Sequence, residues 1–313
     1  MNTLRGLLAI TFLTIQTAFW CLPLYLIGLT RLAMPAGGAT HRAISAYMER
    51  CVDGWVLCNR ALFRVLRITT IDASFARADN LSRTGWFLIL SNHQSWADIL
   101  ILQNIFLGLI PPLKFFTKRE LIWVPMVGFA MWLLGFPYVR RYSREQLAKN
   151  PSLRDRDRTT TLRACDGFKV YPTSVLNFLE GTRFTQSKHE TQDSPYRHLL
   201  LPKSGGLGYV AEALGKCMDN VLDVTIYYYG GPPTFWEFVC GQCPHVKVFV
   251  EGHGIPQPLT RLSRDGGREE LKCWVDDIWR LKDKRIDSAK LSRMALRNQT
   301  RLDRVTLGFV PSP

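Results

Sequence analysis

Residues 86–98 have the sequence WFLILSNHQSWAD, an apolar run that becomes polar within a few residues. The first six residues are rich in large apolar side chains, which is typical of a buried β-strand. His93 follows this strand, and Asp98 stands five residues later at a predicted helix start. The order of strand, polar loop and helix predicts an α/β domain whose loop carries the chemistry.

The rest of the chain continues the alternation of strands and helices, as expected for an α/β domain. Further strands are predicted at residues 174–179, 221–229 and 246–250. Helices are predicted at residues 42–64, 98–107, 158–169 and 206–216. Residues 265–303 carry mixed charges around spaced apolar side chains, which predicts a surface helix or helix pair packed on the core.

The composition describes a folded chain with a strong positive charge. Of the 313 residues, 47% are hydrophobic and 21% are charged, which supports a sizeable core and excludes wholesale disorder. The net charge of +14 indicates an anionic partner: nucleic acid, an acidic membrane surface or a phosphorylated substrate. The eight Cys residues are irregularly spaced, which indicates a reducing compartment rather than a disulfide framework.

The N-terminus carries a long apolar segment. Residues 6–30 contain no charged side chain, and as a helix they would span ~37 Å, more than the hydrocarbon core of a bilayer. A cleaved signal peptide is the main alternative, but the run is too long and Arg31 stands where a cleavage site should begin. We therefore expect a retained membrane anchor, while Pro23 and Gly28 leave a re-entrant or shallow hairpin open. The slight excess of basic residues after the segment favours a cytoplasmic C-terminal part.

A second uncharged run covers residues 121–139. Two prolines and two glycines interrupt it, which is tolerated in membranes but also marks a buried helix that turns into a strand. If this run alone crossed the bilayer, the residues before and after it would face opposite compartments and could not share one site. We therefore expect an apolar helix near the membrane, with residues 135–139 as a strand.

The pairing of His93 with Asp98 suits acid–base chemistry. The carboxylate can accept the imidazole Nδ1–H, which fixes the tautomer and leaves Nε2 as a base for an alcohol proton. Alternatively, Ser95 and Asp98 have the spacing of a capping box, in which Asp98 only caps the helix. Ser91 and Ser95 are candidate nucleophiles, but neither lies in a Gly-x-Ser-x-Gly sequence.

A second group of candidate site residues follows the strand predicted at residues 174–179. In the sequence Glu180-Gly181-Thr182-Arg183, the glycine permits a tight turn, the threonine can donate a hydrogen bond, and the arginine offers a bidentate fork for phosphate. The alternative is a surface ion pair between Glu180 and Arg183, which would contribute little. Further basic pairs stand at Lys118-Arg119 and Arg140-Arg141.

Taken together, these sequences resemble a known family. Four motifs occur in order: His-x4-Asp (His93, Asp98), Lys-x-Glu-Leu with a later Pro and Gly (Lys118, Glu120, Leu121, Pro125, Gly128), Gly-x-x-aromatic-Val-x-Arg (Gly135, Tyr138, Arg141) and Glu-Gly-Thr-Arg (Glu180 to Arg183). Between residues 85 and 230 the chain resembles the membrane glycerolipid acyltransferases, namely the lysophosphatidic acid acyltransferases of the PlsC type, and in particular their bacterial YihG-like branch. Leu179 stands where the family usually has Pro, and residues 221–225 lack a Val-Pro pair, so the resemblance constrains the reaction more closely than the substrate.

The resemblance implies a fold, an activity and roles for the site residues. The implied fold is a glycerolipid-acyltransferase-like α/β mixed sheet flanked by helices, with N-terminal hydrophobic membrane-anchoring helices. The implied activity moves a fatty acyl group from acyl-CoA or acyl carrier protein to the sn-2 hydroxyl of lysophosphatidic acid or a related lysophospholipid, giving phosphatidic acid. His93 would be the general base oriented by Asp98, and no acyl-enzyme is expected. Residues expected to bind substrates are Lys118, Arg141, Glu180, Gly181, Thr182 and Arg183.

The same resemblance implies no permanently bound cofactor and no metal. The expected partners are the lysophospholipid acceptor, the acyl donor, including acyl carrier protein, and anionic membrane lipids, whereas nucleic acid is not expected. The expected location is the bacterial inner (cytoplasmic) membrane, with the catalytic domain on the cytoplasmic side. The predicted organisation is a membrane anchor and interfacial helix at residues 1–66, an acyltransferase domain at 67–255 and a helical tail packed on it at 256–313.

Three other interpretations are open from the residues alone. The basic stretch at residues 140–163 and the tail from Arg261 onward could bind RNA or a protein, which would make the chain a membrane-tethered binding module. A hydrolase could use the same His–Asp pair. Cys240 and Cys243 form a Cys-x-x-Cys sequence of the kind used in redox and zinc sites, although no second pair lies nearby.

Overall fold

The computed structural model describes residues 2–35, 38–139, 150, 152–215, 217–256, 259 and 267–307. Helices α1 to α9 occupy, in chain order, Asn2–Leu32, Ala39–Val65, Ala97–Phe106, Val127–Leu133, Ser152–Asp166, Gln186–Thr191, Ser204–Leu214, Phe235–Val239 and Gly267–Leu307. Strands β1 to β8 occupy Thr70–Ala76, Phe87–Ser91, Leu113–Phe115, Thr117–Lys118, Tyr138–Val139, Ser174–Phe178, Asn220–Tyr228 and His245–His253. Short 3-10 helices lie at Arg119–Trp123 and Gly167–Lys169.

Within this described part of the chain, six strands form one sheet in the order β1-β8-β7-β2-β6-β3. Strand β2 pairs in parallel with β6 and β7, β3 pairs in parallel with β6, and β8 runs antiparallel to β7. The carboxyl ends of β2, β3, β6 and β7 therefore meet at one edge of the sheet. Strands β4 and β5 pair separately. The predicted mixed α/β sheet flanked by helices is confirmed.

The side chains of β2 alternate between two apolar layers, one on each face of the sheet. Phe87 and Ile89 pack with side chains from α1, α2, α3 and α8. Leu88 and Leu90 pack on the opposite face with side chains from α7 and α9. Because β2 is buried on both faces, its sequence is a continuous apolar run rather than an alternating one.

The N-terminal helix α1 fits a membrane anchor. It is the one helix among the described residues that is long and apolar enough to cross a membrane. One side of α1 packs on α2, where Gln16 donates to Asn59 at 2.5 Å and Trp55 donates to Thr17 at 2.9 Å. The helix continues through Pro23, so this segment does not fold back on itself. Its other side exposes large apolar residues: Leu8, Phe12, Ile15, Phe19, Leu22 and Leu26.

The second apolar run is broken into short elements rather than forming one long helix. It begins within the 3-10 helix Arg119–Trp123 and continues through α4 to β5, where the sequence predicts a strand. A Cβ on Gly128 would lie 2.2 Å from the carbonyl oxygen of Ile122, so the tight turn into α4 requires glycine. Leu133 of α4 contacts Gly28 of α1. The run therefore packs beside the anchor helix.

The C-terminal residues form one continuous helix, α9, where the sequence left one helix or a pair open. Its buried side packs on the same face of the sheet as α7. Side chains buried on this side of α9 are Leu271, Val275, Ile278, Trp279 and Ile286.

Candidate active site

The carboxyl ends of two neighbouring strands carry the candidate active site. Strand β2 ends at Ser91, and the loop that follows leads into α3, whose second residue is Asp98. Strand β6 ends at Phe178 and is followed by residues 180–183. Because Ser91 and Phe178 are partners in the parallel register, the two loops begin side by side.

His93 and Asp98 are hydrogen-bonded across the β2–α3 loop. Nδ1 of His93 lies 2.8 Å from Oδ2 of Asp98, which is fully buried. The same oxygen accepts the backbone N–H groups of Gln94 at 2.6 Å and Ser95 at 3.0 Å. The bond from the Ser95 N–H is also the reciprocal half of a capping box, so the Asp98 carboxylate both closes the β2–α3 loop and supports the start of α3.

Tyr228 contacts Asp98, and Phe178 contacts the ring of His93. Oη of Tyr228 donates to Oδ1 of Asp98 at 2.5 Å. Burial and the neighbouring Asp98 carboxylate raise the pKa of Tyr228 well above its usual value, so the phenol remains a donor. The His93 ring stacks on Phe178 with centroids 4.0 Å apart. Among the described residues, Nε2 of His93 has no hydrogen-bond partner in the protein, so this nitrogen can face a substrate.

Asn92 anchors the start of the loop to β7. Its side-chain amide donates to the carbonyl of Ile226 at 2.9 Å and accepts the N–H of Ile226 at 2.8 Å. These two bonds replace the backbone pairing that β2 would otherwise make with β7. From the sequence alone Asn92 has no predicted role, since a polar residue after a strand is also typical of an ordinary turn.

The two serines of the loop have structural partners. The buried Ser91 hydroxyl donates to the Asn92 carbonyl at 2.9 Å. The Ser95 hydroxyl donates to the Pro233 carbonyl at 2.6 Å and accepts the Ala97 N–H at 3.2 Å. Neither hydroxyl is hydrogen-bonded to the His93 ring, so the geometry does not favour a serine nucleophile.

Glu180 is buried and supports His93 through the backbone. Its Oε1 accepts the His93 N–H at 3.1 Å, and its Oε2 accepts the Leu200 N–H at 3.4 Å. Burial raises the pKa of Glu180 to about 8, and the charge of Asp98 adds to the shift. The carboxyl group of Glu180 is thus hydrogen-bonded inside the protein rather than in a surface ion pair with Arg183.

Gly181 makes the tight turn after β6 with a φ of +68°. A Cβ at this position would lie 3.2 Å from Cδ of Lys203, so glycine is favoured by both backbone conformation and space. The turn returns the chain to the β2–α3 loop, where the N–H of Phe184 donates to the carbonyl of His93 at 2.8 Å. The loops after β2 and β6 are therefore joined by two hydrogen bonds, one between backbone groups and one from the His93 N–H to the Glu180 side chain.

Thr182 and Arg183 lie on the outer side of this turn. Nζ of Lys188 donates to Oγ1 of Thr182 at 2.8 Å and to the Arg183 carbonyl at 3.0 Å. The exposed guanidinium of Arg183 lies 4.4 Å over the ring of Trp96, between His93 and Asp98 in the chain. Neither contact is predicted from the sequence, because Trp96 and Lys188 lie outside the four residues of the Glu-Gly-Thr-Arg motif.

The remaining two basic candidates are not joined to this cluster. Lys118 is exposed at the end of β4, which follows β3 on the same edge of the sheet. No hydrogen bond among the described residues connects it to His93 or to residues 180–183. Arg141 lies outside the described residues, as do the rest of residues 140–149 and residue 151 of the basic stretch at 140–163, and residues 261–266 and 308–313 of the tail.

An apolar cavity of about 220 Å³ lies between α1, α2, α3 and α4. Its wall includes Ile99, which directly follows Asp98 on α3. The cavity therefore begins beside the element that carries the candidate base-orienting carboxylate. Other wall residues come from α1, α2 and α4: Trp20, Leu24, Val52, Trp55 and Ala130.

Two groups among the described residues have the residue types of redox or metal sites. Cys240 and Cys243 are buried free thiols, and burial raises the pKa of Cys243 to about 11, which opposes thiolate chemistry. A group of potential metal ligands among the described residues is Asp223, Glu251 and His253. Lys282 and Arg285 already form ion pairs with the two carboxylates of that group, which leaves little negative charge for a cation.

Comparisons with known proteins identify the family of this chain. The family model described as Acyltransferase matches residues 73–229, half of the chain, and includes both loops. The chain is 24% identical over 222 residues to 1-acyl-sn-glycerol-3-phosphate acyltransferase epsilon of Mus musculus, covering 63% of this chain and 56% of that protein. It is 26% identical over 210 residues to the delta protein of Homo sapiens, covering 63% and 51%. The chain thus spans about half the length of the curated relatives it matches.

A solved structure shows the same fold. The crystal structure of the 1-acyl-sn-glycerophosphate (LPA) acyltransferase PlsC from Thermotoga maritima matches with a TM-score of 0.53 and 18% sequence identity. The match covers 91% of this chain and 99% of that one. At this identity the likeness is evidence for the fold alone.

Proposed function

This chain belongs to the acyltransferase family, and we propose that it transfers a fatty acyl group from a thioester donor to a lysophospholipid. The acceptor is lysophosphatidic acid or a related lysophospholipid, acylated at its sn-2 hydroxyl to give phosphatidic acid or its counterpart. The relatives' names support this acceptor class. The donor is acyl-CoA or acyl carrier protein, and no permanently bound cofactor takes part.

The mechanism is direct attack assisted by His93 as general base. Nε2 takes the proton of the acceptor hydroxyl. At the same time the hydroxyl oxygen forms a bond to the thioester carbonyl carbon. The resulting tetrahedral intermediate loses the sulfur as a thiolate, which takes the proton back from Nε2. Asp98 holds the ring through Nδ1–H and stabilises the imidazolium that forms between the two proton transfers. Acid–base assistance of this kind contributes about 10²–10⁴ in rate.

One observation carries this proposal: the 2.8 Å contact between Nδ1 of His93 and a fully buried Asp98. Asp98 also accepts hydrogen bonds from Gln94, Ser95 and Tyr228, so its orientation is fixed before substrate arrives. A fixed carboxylate holds the ring in the tautomer that leaves Nε2 unprotonated.

The acceptor phosphate binds to the basic groups beside the two loops. Arg183 is exposed and held over Trp96, so its fork is available to a phosphate. Lys118 and Arg141 are proposed to contribute further positive charge, while Gly181 and Thr182 shape the loop near the reacting carbonyl. Glu180 is proposed to act from inside the protein, by holding the His93 backbone, rather than by contacting substrate.

The apolar cavity between α1 and the domain accommodates the acyl chain. Its walls are almost wholly apolar, which suits a hydrocarbon chain, and Ile99 places one end next to Asp98. The exposed apolar side of α1 lies in the bilayer, and the site faces the cytoplasmic side of a bacterial inner membrane. The surplus of positive charge attracts anionic lipids at about 1 kcal/mol per basic residue near the surface.

Lipid product analysis of purified enzyme tests this function. The wild-type protein and His93→Ala are incubated with a panel of lysophospholipids, each with acyl-CoA and with acyl carrier protein as donor. We expect diacylated product from the wild type and none from His93→Ala. Free fatty acid formed without acylated acceptor would indicate a hydrolase. Undiminished turnover by His93→Ala would refute the proposed base.

A further inference from the structure

Lys282 is a fully buried lysine on α9, beyond the residues matched by the family model. Its ammonium donates to the carbonyl oxygens of Leu90 at 3.1 Å and Val224 at 2.6 Å, and it forms an ion pair with Asp223. Burying an ammonium is unfavourable unless its donors are satisfied, and here they are. Leu90 stands three residues before His93, so this ammonium reaches the strand that carries the catalytic loop.

The ammonium lies where β2 and β7 separate. The backbone register between the two strands ends at Ser91 and Val224. One residue later, Asn92 bonds to Ile226 through its side chain instead of its backbone. Lys282 and Asn92 therefore hold the strands together on both sides of the point at which the loop leaves the sheet.

Trp279, one turn earlier on α9, makes a second contact with the support of the site. Its Nε1 donates to the Leu200 carbonyl at 3.0 Å, and the N–H of Leu200 donates to Glu180. Nζ of Lys282 lies 5.2 Å from the centre of the Trp279 ring. The helix thus contacts both the strand before His93 and the segment that holds Glu180.

Titratable side chains from several elements lie near Lys282. Asp223 of β7, Glu180 after β6 and His253 of β8 all interact electrostatically with it, and Asp98 acts in turn on Glu180. Burial lowers the pKa of Lys282, whereas Asp223 raises it. The positive charge of Lys282 lowers the pKa of Glu180, opposing the burial that raises it to about 8.

We propose that Lys282 is a positioning residue that holds the carboxyl end of β2, and His93 with it, against β7 and Glu180. It acts through the backbone and touches no substrate. This inference rests on the proposed acyl transfer. It assigns a role in that reaction to a helix outside the residues that the family model matches.

Steady-state kinetics of Lys282→Met test the role, with Lys284→Met, an exposed lysine on the same helix, as matched control. We expect kcat to fall about a hundredfold, the effect of a small misplacement of a catalytic group, while the KM of both substrates stays near the wild-type value. As a carboxylate, Glu180 accepts both N–H groups, so wild-type kcat should rise as pH passes about 8. In Lys282→Met, Glu180 loses this nearby positive charge, so its pKa and the rise in kcat should move to higher pH. If Lys282→Met has the wild-type kcat, or if its kcat is lowered by the same factor at every pH, the proposal is overturned.

A double variant separates positioning from simple neutralisation of Asp223. Lys282→Met with Asp223→Asn removes the ion pair as a unit and leaves Arg285 paired with Glu251. We expect a folded protein whose kcat remains low and whose pH rise remains displaced. If the double variant regains wild-type kcat, Lys282 only neutralises Asp223 and the inference is wrong.

Amide hydrogen exchange provides a measurement that needs no activity. Residues 90–94 should exchange faster in Lys282→Met and in the double variant than in wild type or Lys284→Met, because the strand end is released. Unchanged exchange there would refute positioning. If the wild type acylates no acceptor, the proposed function fails, yet the exchange data still decide the role of Lys282 in holding the strand.

Discussion

Oη of Tyr228, the last residue of β7, lies 2.5 Å from Oδ1 of Asp98, the second residue of α3. This contact joins the sheet to the carboxylate that holds His93. It is formed on the face of the sheet that also packs α1, α2 and α3. The orientation of the proposed base therefore depends on a strand that follows it by more than a hundred residues.

Tyr228→Phe should lower kcat about tenfold with little change in either KM. The variant leaves one oxygen of a buried carboxylate without its phenol donor, at a cost of about 1–3 kcal/mol. Steady-state acyl transfer and thermal unfolding measure the two effects. Tyr227→Phe, on the neighbouring and partly exposed position, is the control. Equal rates for Tyr228→Phe and wild type would show that Asp98 is held well enough without the phenol.

Arg183→Ala should chiefly raise the KM for the lysophospholipid acceptor, because it removes the fork proposed to bind phosphate. Trp96→Leu should raise the same KM by a smaller factor, since the guanidinium loses the ring beneath it, while Trp96→Phe should retain most of the wild-type value. Initial rates at varied acceptor concentration measure these effects. An unchanged acceptor KM in Arg183→Ala would place the phosphate elsewhere.

Glu180 should make the protein less stable as pH rises from about 4.3 to about 8. Its pKa is raised from an ordinary value near 4.3 to about 8 in the folded protein, so the folded state holds the proton more tightly than the unfolded state. The contribution of Glu180 to stability is fully present below its pKa in the unfolded state. It is lost as pH rises through its pKa in the folded state. Thermal midpoints of detergent-solubilised protein should fall across this window. The decline should be shallower in Glu180→Gln but not in Glu270→Gln, a change at an exposed position of α9. Parallel curves would contradict the assignment.

Aspartates on the exposed side of α1 should detach the protein from lipid. Leu22→Asp together with Leu26→Asp places charge where the anchor is proposed to contact the bilayer, and each charge costs up to ~3 kcal/mol in the hydrocarbon core. Flotation with anionic liposomes measures the bound fraction. The same change at Leu281 and Leu291, exposed on α9, should leave binding intact. Full retention of the α1 variant on liposomes would argue against this face as the anchor.

Much of the fold follows from the sequence because the central strands are buried on both faces. The apolar runs of β2, β6 and β7 predict strands within one or two residues of those observed. Strand β1 was missed because most of its side chains are exposed at the edge of the sheet, so it has no apolar run. Strand β3 is only three residues long. The family is confirmed, while the YihG-like branch and the division at residues 66 and 255 stay predictions.

The sequence predicts those contacts of the candidate site that form within one loop. It does not predict the contacts that depend on the packing of distant elements. The spacing of His93 and Asp98 within one loop predicts their contact directly. Lys282 has no such signal, because a lysine in a mixed-charge helix is usually solvated, and only the docking of α9 buries it. Tyr228 likewise ends an apolar strand as one aromatic among several.

The anchor helix also forms a wall of the apolar cavity, through Trp20 and Leu24. A fragment made water-soluble by deleting residues 2–32 would therefore have a cavity open along one side. Fatty-acid length preferences measured on such a fragment would therefore reflect an altered cavity. Selectivity should be assayed with the first helix present, in nanodiscs or micelles.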